Sequence, residues 1–253
     1  MQDFLHTTIR AAGAIARDYF VRGVTHSEKT SVADLLTEAD VAVSDYLIAQ
    51  IQANYPDHQI HSEERAADIN PGARYEWVID PIDGTRNFAL GIPFWAPLVA
   101  VIKDGKPFLA AIFNPMSDQL FSAAQGGGAY LNGQRIQVNG VDTLEHGFGV
   151  IYRRSGFPRV ERYIRAMDEL NRASTTWLHN YGSMVAAAHL ASGGIDFYLS
   201  NSGFDHDLLA PALICSEAGA VVTDADGNPW TREHHDIVIA NPRLHPKVLA
   251  LLK

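Results

Sequence analysis

The apolar run Trp77-Val78-Ile79 ends abruptly in Asp80-Pro81-Ile82-Asp83-Gly84-Thr85, and this stretch constrains the chain more than any other. A strand-like segment that stops at two carboxylates three residues apart puts charge where an apolar core gives out. Pro81 biases Asp80 toward extended dihedrals. Asp80 is therefore expected to finish the strand while Asp83, Gly84 and Thr85 turn away into the next element. Two carboxylates then converge on one point, and like charges a few Å apart oppose joint ionisation. A divalent cation removes that conflict, and carboxylates with a backbone carbonyl and water are what Mg²⁺ prefers. Gly84 lets the backbone approach a phosphate, and Thr85 with the next amides would open a helix whose free N–H groups face an anion.

The same five residues, Asp-Pro-Ile-Asp-Gly, also suit a surface turn. Their surroundings argue otherwise. The segment is entered through Trp-Val-Ile and left through Asn87-Phe88-Ala89-Leu90-Gly91-Ile92-Pro93-Phe94-Trp95, an apolar rim suited to a buried site.

With 253 residues, 47% of them hydrophobic, the chain can bury a sizeable core as one large domain or two tightly packed lobes. A net charge of −9 argues against a duplex nucleic-acid footprint and against a polybasic membrane contact. The single cysteine, Cys215, excludes an internal disulfide framework and suggests a reducing compartment; within Ala212-Leu213-Ile214-Cys215-Ser216 it reads as a small buried hydrophobe. Met1 to His6 carries no basic region followed by an apolar one, and no apolar run reaches the roughly 18–20 residues of a membrane span. The expected location is the cytoplasm.

Apolar spacing predicts an amphipathic helix from Phe4 to Val21 and another from Val41 to Asn54, the latter capped by Thr37 with Asp40 in the acidic place of a capping box. Read alone, Asp40 is a helix cap and the Glu63-Glu64 pair a solvated surface. Gln59-Ile60-His61 reads as a short strand delivering Ser62-Glu63-Glu64. Beyond the central motif come strands at 97–102, 108–113 and 120–124, with Asp104-Gly105 as a hairpin turn. Ala129-Tyr130-Leu131, the turn Asn132-Gly133 and the strand Ile136-Gln137-Val138 continue the meander. Gly126-Gly127-Gly128 lacks a following lysine and helix, so it reads as close strand packing rather than a phosphate loop. The second half alternates: strand 148–152, helix 159–172 exposing Arg162 and Arg165, a small-residue helix 184–192 opened by Gly182-Ser183, strand 196–199, helix 208–218, strands 221–223 and 237–240, and a closing helix from Pro246. Strands mixed with helices throughout imply an α/β or α+β sandwich.

Taken in order, Leu36-Thr37-Glu38-Ala39-Asp40, Ser62-Glu63-Glu64, the run from Trp77 to Phe88, Gly126 to Gly133, Gly182-Ser183 and the helix ending Glu217-Ala218-Gly219 cover nearly the whole chain. Together they resemble the inositol monophosphatase family of Mg²⁺-dependent, lithium-sensitive phosphatases. The resemblance implies the layered αβαβα sandwich of the inositol monophosphatase and fructose-1,6-bisphosphatase type, one domain with an N-terminal α+β lobe over about 1–140 and a C-terminal α/β lobe over about 141–253. It implies metal ligation by Glu63, Asp80, Asp83 and the carbonyl of Ile82, with Asp80 bridging two cations. The activity implied is phosphate monoester hydrolysis, two or three Mg²⁺ ions activating a water for in-line attack on phosphorus.

Thr85 and Asp40 match the pair that in this family orients and deprotonates the water, and Glu63 joins them as catalytic. Gly84, Thr85 and Asp83 would meet the phosphate, with Lys29, Gly182 and Ser183 also at substrate-binding positions. The last ligand is Asp205 or Asp207. Phe204-Asp205 looks like the family's aromatic-Asp pair, but the helix from Leu208 to Gly219 aligns without a gap from Asp207, which is therefore chosen. His206 then stands where the family usually has tryptophan. Imidazole is a poor Mg²⁺ ligand, so His206 is expected to be a wall or a substrate contact.

An acidic residue that binds inositol hydroxyls in the animal enzymes is replaced here by Ser200. Ser200, Asn201 and Asp205 are the expected substitutes for polyol binding. The expected substrate is a small polyol or sugar phosphate, with inositol-1-phosphate first. Nucleotide 3′-phosphates, histidinol phosphate and fructose 1,6-bisphosphate are alternatives, His179, Asn180, Tyr181 and Phe204 being candidate platforms for a base. A non-catalytic regulatory binding protein on the same fold is the rival of another class. The resemblance also implies a homodimer.

Overall fold

The structure is a computed structural model that describes residues 1–23, 26–28, 35–173 and 176–253; Lys29 and the side chain of Thr37 lie outside the described residues. Helix α1 (Gln2–Arg22) buries Leu5, Ile9, Ala12 and Ala16, one stripe at helical spacing. After the short antiparallel pair β1 (His26–Glu28) and β2 (Leu35–Thr37), helix α2 (Glu38–Asn54) buries Val43, Leu47, Ile48 and Ile51. Both helices lie on one face of a seven-stranded sheet. Its strands run in spatial order β3 (Gln59–Ser62), β4 (Tyr75–Asp83), β5 (Ala96–Lys103), β6 (Lys106–Asn114), β7 (Gln119–Ala124), β8 (Gly128–Leu131) and β9 (Gln134–Ile136), with helix α3 (Thr85–Ala89) between β4 and β5.

This sheet is a meander, antiparallel except where β3 pairs with β4, yet its central strands are apolar without alternation. The reason is that both faces are covered. Leu98, Ala100 and Ile102 of β5 enter one core, while Val99 and Val101 enter another with α1 and α2. Strand β6 divides likewise, Ala110 and Ile112 on one side and Leu109, Ala111 and Phe113 on the other. The hairpin turns have the chemistry the sequence announced: Asp104 and Gly105 (φ 50° and 76°), and Asn132 and Gly133 (φ 49° and 80°), are left-handed pairs that match strand twist.

The second half forms a five-stranded sheet in the order β11 (Trp177–His179), β10 (Phe148–Tyr152), β12 (Phe197–Ser200), β14 (Ile237–Ala240), β13 (Val221–Thr223). Helices α5 (Val185–Ala191) and α6 (Asp205–Glu217) lie between the two sheets; their alanines, valines and leucines share a core with β5, β6 and the near face of this sheet. Its far face, through Phe197, Leu199, Val238 and Ala240, packs on Tyr163, Ala166 and Leu170 of α4 (Val160–Ala173) and on Val248 of α7 (His245–Ala250). Helices, sheet, helices, sheet, helices: the expected αβαβα sandwich is what forms.

Several local readings differ from this outcome. Strand β4 does not end at Asp80 but runs through Asp83, with a bulge between Asp80 and Asp83. Strand β9 stops at Ile136; the Val138 amide donates instead to the carbonyl of Ala218, tying the loop to α6. Helix α6 starts at Asp205 rather than Leu208, so its acidic residues occupy the first turn, where charge suits the free amides. The three glycines at 126–128 form the turn between β7 and β8; a Cβ at Gly127 or Gly128 would lie 3.2 Å from Ala124 or Arg135, as close packing requires, and the Gly126 and Gly128 amides donate to Glu217 at 2.7 and 2.8 Å. Arg162, read as exposed, is half-buried and pairs with Asp226 at 2.7 Å. Cys215 is buried as expected; its thiol donates to the Ala187 carbonyl at 3.2 Å and burial pushes its pKa up.

The tightest contact in the second sheet is at Gly149, where a Cβ would lie 1.9 Å from the ring of the fully buried Phe197. Gly149→Ala is therefore expected to destabilise the chain by about 1–3 kcal/mol or more through overpacking, read as a lower denaturant midpoint.

Candidate active site

Residues at odd spacing in a regular strand point to opposite faces, so Asp80 and Asp83 would diverge if β4 were regular. The bulge reverses this. Asp80 pairs with Leu98 and Asp83 with Ala96, so three steps on β4 oppose two on β5, and both carboxylates reach one side. The chain then leaves through Gly84, left-handed at φ 87°, where a Cβ would lie 3.1 Å from Ser183 Cβ and 3.2 Å from the carbonyl of Phe94. Glycine is needed there for both conformation and space. Thr85 opens the five-residue helix α3, and its hydroxyl donates to the Ile82 carbonyl at 3.1 Å.

Asp207 arrives from the other half of the chain. Its Oδ2 accepts from the Phe204 amide at 2.7 Å, which fixes the first turn of α6. One oxygen from each of Asp80, Asp83 and Asp207 lies within 4.8 Å of the others. Glu63 follows β3, held by its amide donating to the Ile79 carbonyl at 3.1 Å, and with Asp83, Gly84, Thr85 and Asp207 it lines a cleft of about 390 Å³. Asp40, in the first turn of α2, and Asp80 are buried behind that lining at 0% and 2% exposure.

Such crowding shows in the protonation of the group. Burial raises the Asp80 carboxyl well above the usual carboxylate range, and repulsion from Glu63, Asp83, Asp207 and Asp40 adds to it. Asp83 is pushed up to about 8 by burial and by Asp207 and Glu63, against hydrogen bonds that favour its charged form. Those bonds come from the Ser183 hydroxyl and from the Met184 amide at 2.6 Å, both to Oδ2. A buried set of oxygen donors whose charges repel one another fits a hard dication such as Mg²⁺, which supplies the missing positive charge.

Of the remaining sequence-predicted positions, Gly182 and Ser183 line the cleft, but the Ser183 hydroxyl is engaged by Asp83, which makes it a positioning group for that carboxylate. Ser200 is fully buried, donating to the Ser202 carbonyl at 2.6 Å, and does not reach the cleft. The expectation of a substrate contact there is corrected: strand β12 turns this side chain into the core. Asp205 and His206 are not in the lining either. Asp205 is tied to Arg232, and His206 lies between the two aspartates, its Nδ1 3.9 Å from Asp205 and its Nε2 3.8 Å from Asp207. The rim after Thr85 is mixed, with Phe88 and Trp95 buried but Leu90 and Ile92 exposed.

The cleft walls hold residues the sequence reading passed over, among them Arg86, Tyr152, Arg154 and Phe157. Arg154 sits over the Phe157 ring at 5.5 Å, and Phe157 meets Phe204 edge-on at 6.0 Å. Arg86 follows Thr85 inside the central motif, which could have found it; no local signal marks Tyr152, Arg154 and Phe157, because they come from a strand end and a loop that meet the motif only in the fold. Asn87 was read as part of the rim, yet its amide bridges the carbonyls of Phe94 and Tyr181 at 2.8 and 2.7 Å, joining the two halves at the cleft.

The αβαβα sandwich thus gathers buried acidic oxygens at the end of β4 in its first sheet, beside the start of α6. The chain belongs to the inositol monophosphatase family, whose model matches residues 1–253. It is 32% identical over 234 residues to an inositol monophosphatase of Dictyostelium discoideum, covering 89% of this chain and 85% of that protein. It is 30% identical over 263 residues to the Nus factor SuhB of Pseudomonas aeruginosa, covering 100% and 97%. Among solved structures, the Thermotoga maritima IMPase TM1415 superposes with a TM-score of 0.89 at 27% identity, covering 99% of this chain and 95% of that one.

The raised carboxyls make metal-free stability depend on pH. Asp83 has a folded-state pKa of about 8 against 3.8 for the ordinary group, so the folded chain keeps a proton that the unfolded chain has lost. Stability of the metal-free protein is then expected to fall as pH rises between those values. Thermal melts at about pH 5.5 and 8.5 should show a lower metal-free Tm at the higher pH and a larger rise on adding Mg²⁺ there; the opposite order would speak against the cluster.

Proposed function

We propose that the protein is a Mg²⁺-dependent phosphate monoesterase acting on a small polyol or sugar phosphate, with inositol-1-phosphate the first candidate. The observation that carries this reading is the approach of Asp80, Asp83 and Asp207 to within 4.8 Å, the last two lining a cleft with Glu63 and Thr85 and Asp80 buried just behind it. Glu63, Asp80, Asp83, Asp207 and the Ile82 carbonyl would hold two or three Mg²⁺ ions. Bound there, Mg²⁺ supplies Lewis acidity to phosphate oxygens and lowers the pKa of a bound water.

The chain's own groups do the rest in this reading. The Thr85 hydroxyl donates its hydrogen bond to the Ile82 carbonyl, which leaves the Thr85 oxygen as an acceptor able to orient an attacking water. Asp40, buried beneath and close enough to raise Asp80, is the partner that takes the water's proton. Gly84 and the amides after it hold the phosphate, and Ser183 with the Met184 amide keeps Asp83 turned to the floor. The chain is proposed to work as a cytoplasmic homodimer; among the described residues, no helix is long and apolar enough to cross a membrane.

A second reading rests on the cleft mouth. Arg154 over Phe157, with Phe204 46% exposed beside it, offers a cation and a flat apolar face, which suits a nucleotide 3′-phosphate better than a bare polyol. Relatives named Nus factor also keep open a regulatory role on the same fold.

Asp83→Asn is expected to lower Mg²⁺-dependent phosphate release at least about a thousand-fold with the fold retained by circular dichroism, since it removes both a charge and a ligand. Near-normal turnover in that variant would refute the metal assignment. Asp207→Asn should lose activity comparably and Asp205→Asn far less; the reverse order would mean that the wrong aspartate has been chosen. A release screen over inositol, sugar, nucleotide and histidinol phosphates, with and without Li⁺, ranks the substrates.

A further inference from the structure

Beside Asp207, but outside the cleft lining, three other donors converge: His61 from β3, and Asp205 and His206 from the first turn of α6. One donor atom from each lies within 4.8 Å of the other two. We propose that this triad is a second metal site, separate from the carboxylate cluster, and that it takes Zn²⁺. The donor set decides the ion. Two imidazoles and one carboxylate suit a borderline-soft dication and are poor company for Mg²⁺.

His61 is oriented for the task. Its Nδ1 is bound to Asp68 Oδ1 at 2.8 Å, so Nε2 faces Asp205 Oδ1 at 3.6 Å. A carboxylate behind a histidine is the arrangement that fixes a metal-ligating imidazole. The 3.6 Å gap is too long for a hydrogen bond, so a proton on Nε2 does not account for it. It is close to the edge of a zinc tetrahedron, about 3.4 Å for bonds of about 2.05 Å. His206 Nδ1 faces the same oxygen at 3.9 Å and is buried without a hydrogen-bond partner among the protein groups.

Asp205 is also held in place. Arg232 binds its Oδ2 and reaches both oxygens of Glu76 at 2.8 and 2.9 Å, leaving Oδ1 to the histidines. Asp68, Glu76 and Asp205 set three carboxylates against one guanidinium, a negative balance that favours a dication. The side chains of His61, Asp205 and His206 are 30%, 20% and 12% exposed, so an ion can enter and keep a water as its fourth ligand.

The test uses tag-free, metal-stripped protein and the metal alone as probe. With Mg²⁺ in large excess, calorimetric titration is expected to show one tightly bound Zn²⁺ per chain, and Co²⁺ in its place should give the intense visible absorption of a low-coordinate, nitrogen-ligated ion. His61→Ala should weaken Zn²⁺ binding at least 100-fold and abolish the Co²⁺ band; Asp68→Asn should weaken it about 10-fold or more while leaving all three ligands in place. Melting curves without zinc check that both variants fold. Zinc that excess Mg²⁺ displaces from the wild type, or a Co²⁺ spectrum of six-coordinate oxygen ligation, would overturn the site, and so would wild-type affinity in His61→Ala. Because none of these readouts is phosphatase activity, failure here leaves the proposed reaction standing, and inactivity toward every phosphate ester would leave the zinc site standing.

Discussion

Mutual repulsion among Asp80, Asp83, Asp207 and their acidic neighbours is the constraint around which the rest of the structure is arranged. Buried like charges separate unless something holds them. Here the bulge in β4 turns two of them to one side, and the first turn of α6 delivers the third. The Ser183 hydroxyl and Met184 amide prevent Asp83 from rotating away. The fold therefore holds these carboxyls together in a rigid frame, where their charged forms would need a dication beside them.

That frame is rigid because α5 and α6 are buried between two sheets. Their facing residues are mostly alanine, valine and leucine, and Ala186 to Ala188, Leu208 and Ile214 are wholly enclosed. Close packing of this kind has little compressibility, so helix ends stay where they are put. Each part of the site hangs from a different layer: Asp40 from an outer helix, Glu63, Asp80 and Asp83 from the first sheet, Asp207 and Ser183 from the central layer. Asn87, bridging Phe94 and Tyr181, fastens these layers at the cleft itself.

The floor and the wall of the cleft have different origins. The floor comes from the motifs that carry the likeness to the inositol monophosphatase family, whereas Tyr152, Arg154, Phe157 and Phe204 lie outside them. On the proposed reading, chemistry and substrate choice would then be separable: one would depend on oxygen donors at short range, the other on the shape and charge of loops. Relatives of comparable similarity bear the names inositol monophosphatase and Nus factor, in keeping with a fold that hosts more than one role.

The linear sequence determined what depends on local chemistry. Periodic apolar residues specified α1 and α2, Asp104-Gly105 and Asn132-Gly133 specified two hairpin turns, and the apolar runs of β5 and β6 specified two strands. The short motifs also pointed to acidic residues, among them Asp80, Asp83 and Asp207, whose oxygens the fold brings within 4.8 Å of one another. Tertiary structure alone decided how they meet. It carried β4 past Asp80, because pairing with β5 persists through a bulge that Pro81 does not forbid. It buried Ser200, and it gave Ser183 to Asp83, a contact that no sequence window of ordinary length contains, since the two residues stand 100 positions apart. It also gathered His61, Asp205 and His206, which no spacing rule connects, for the same reason: strand ends and helix starts become neighbours only when sheets and helices stack.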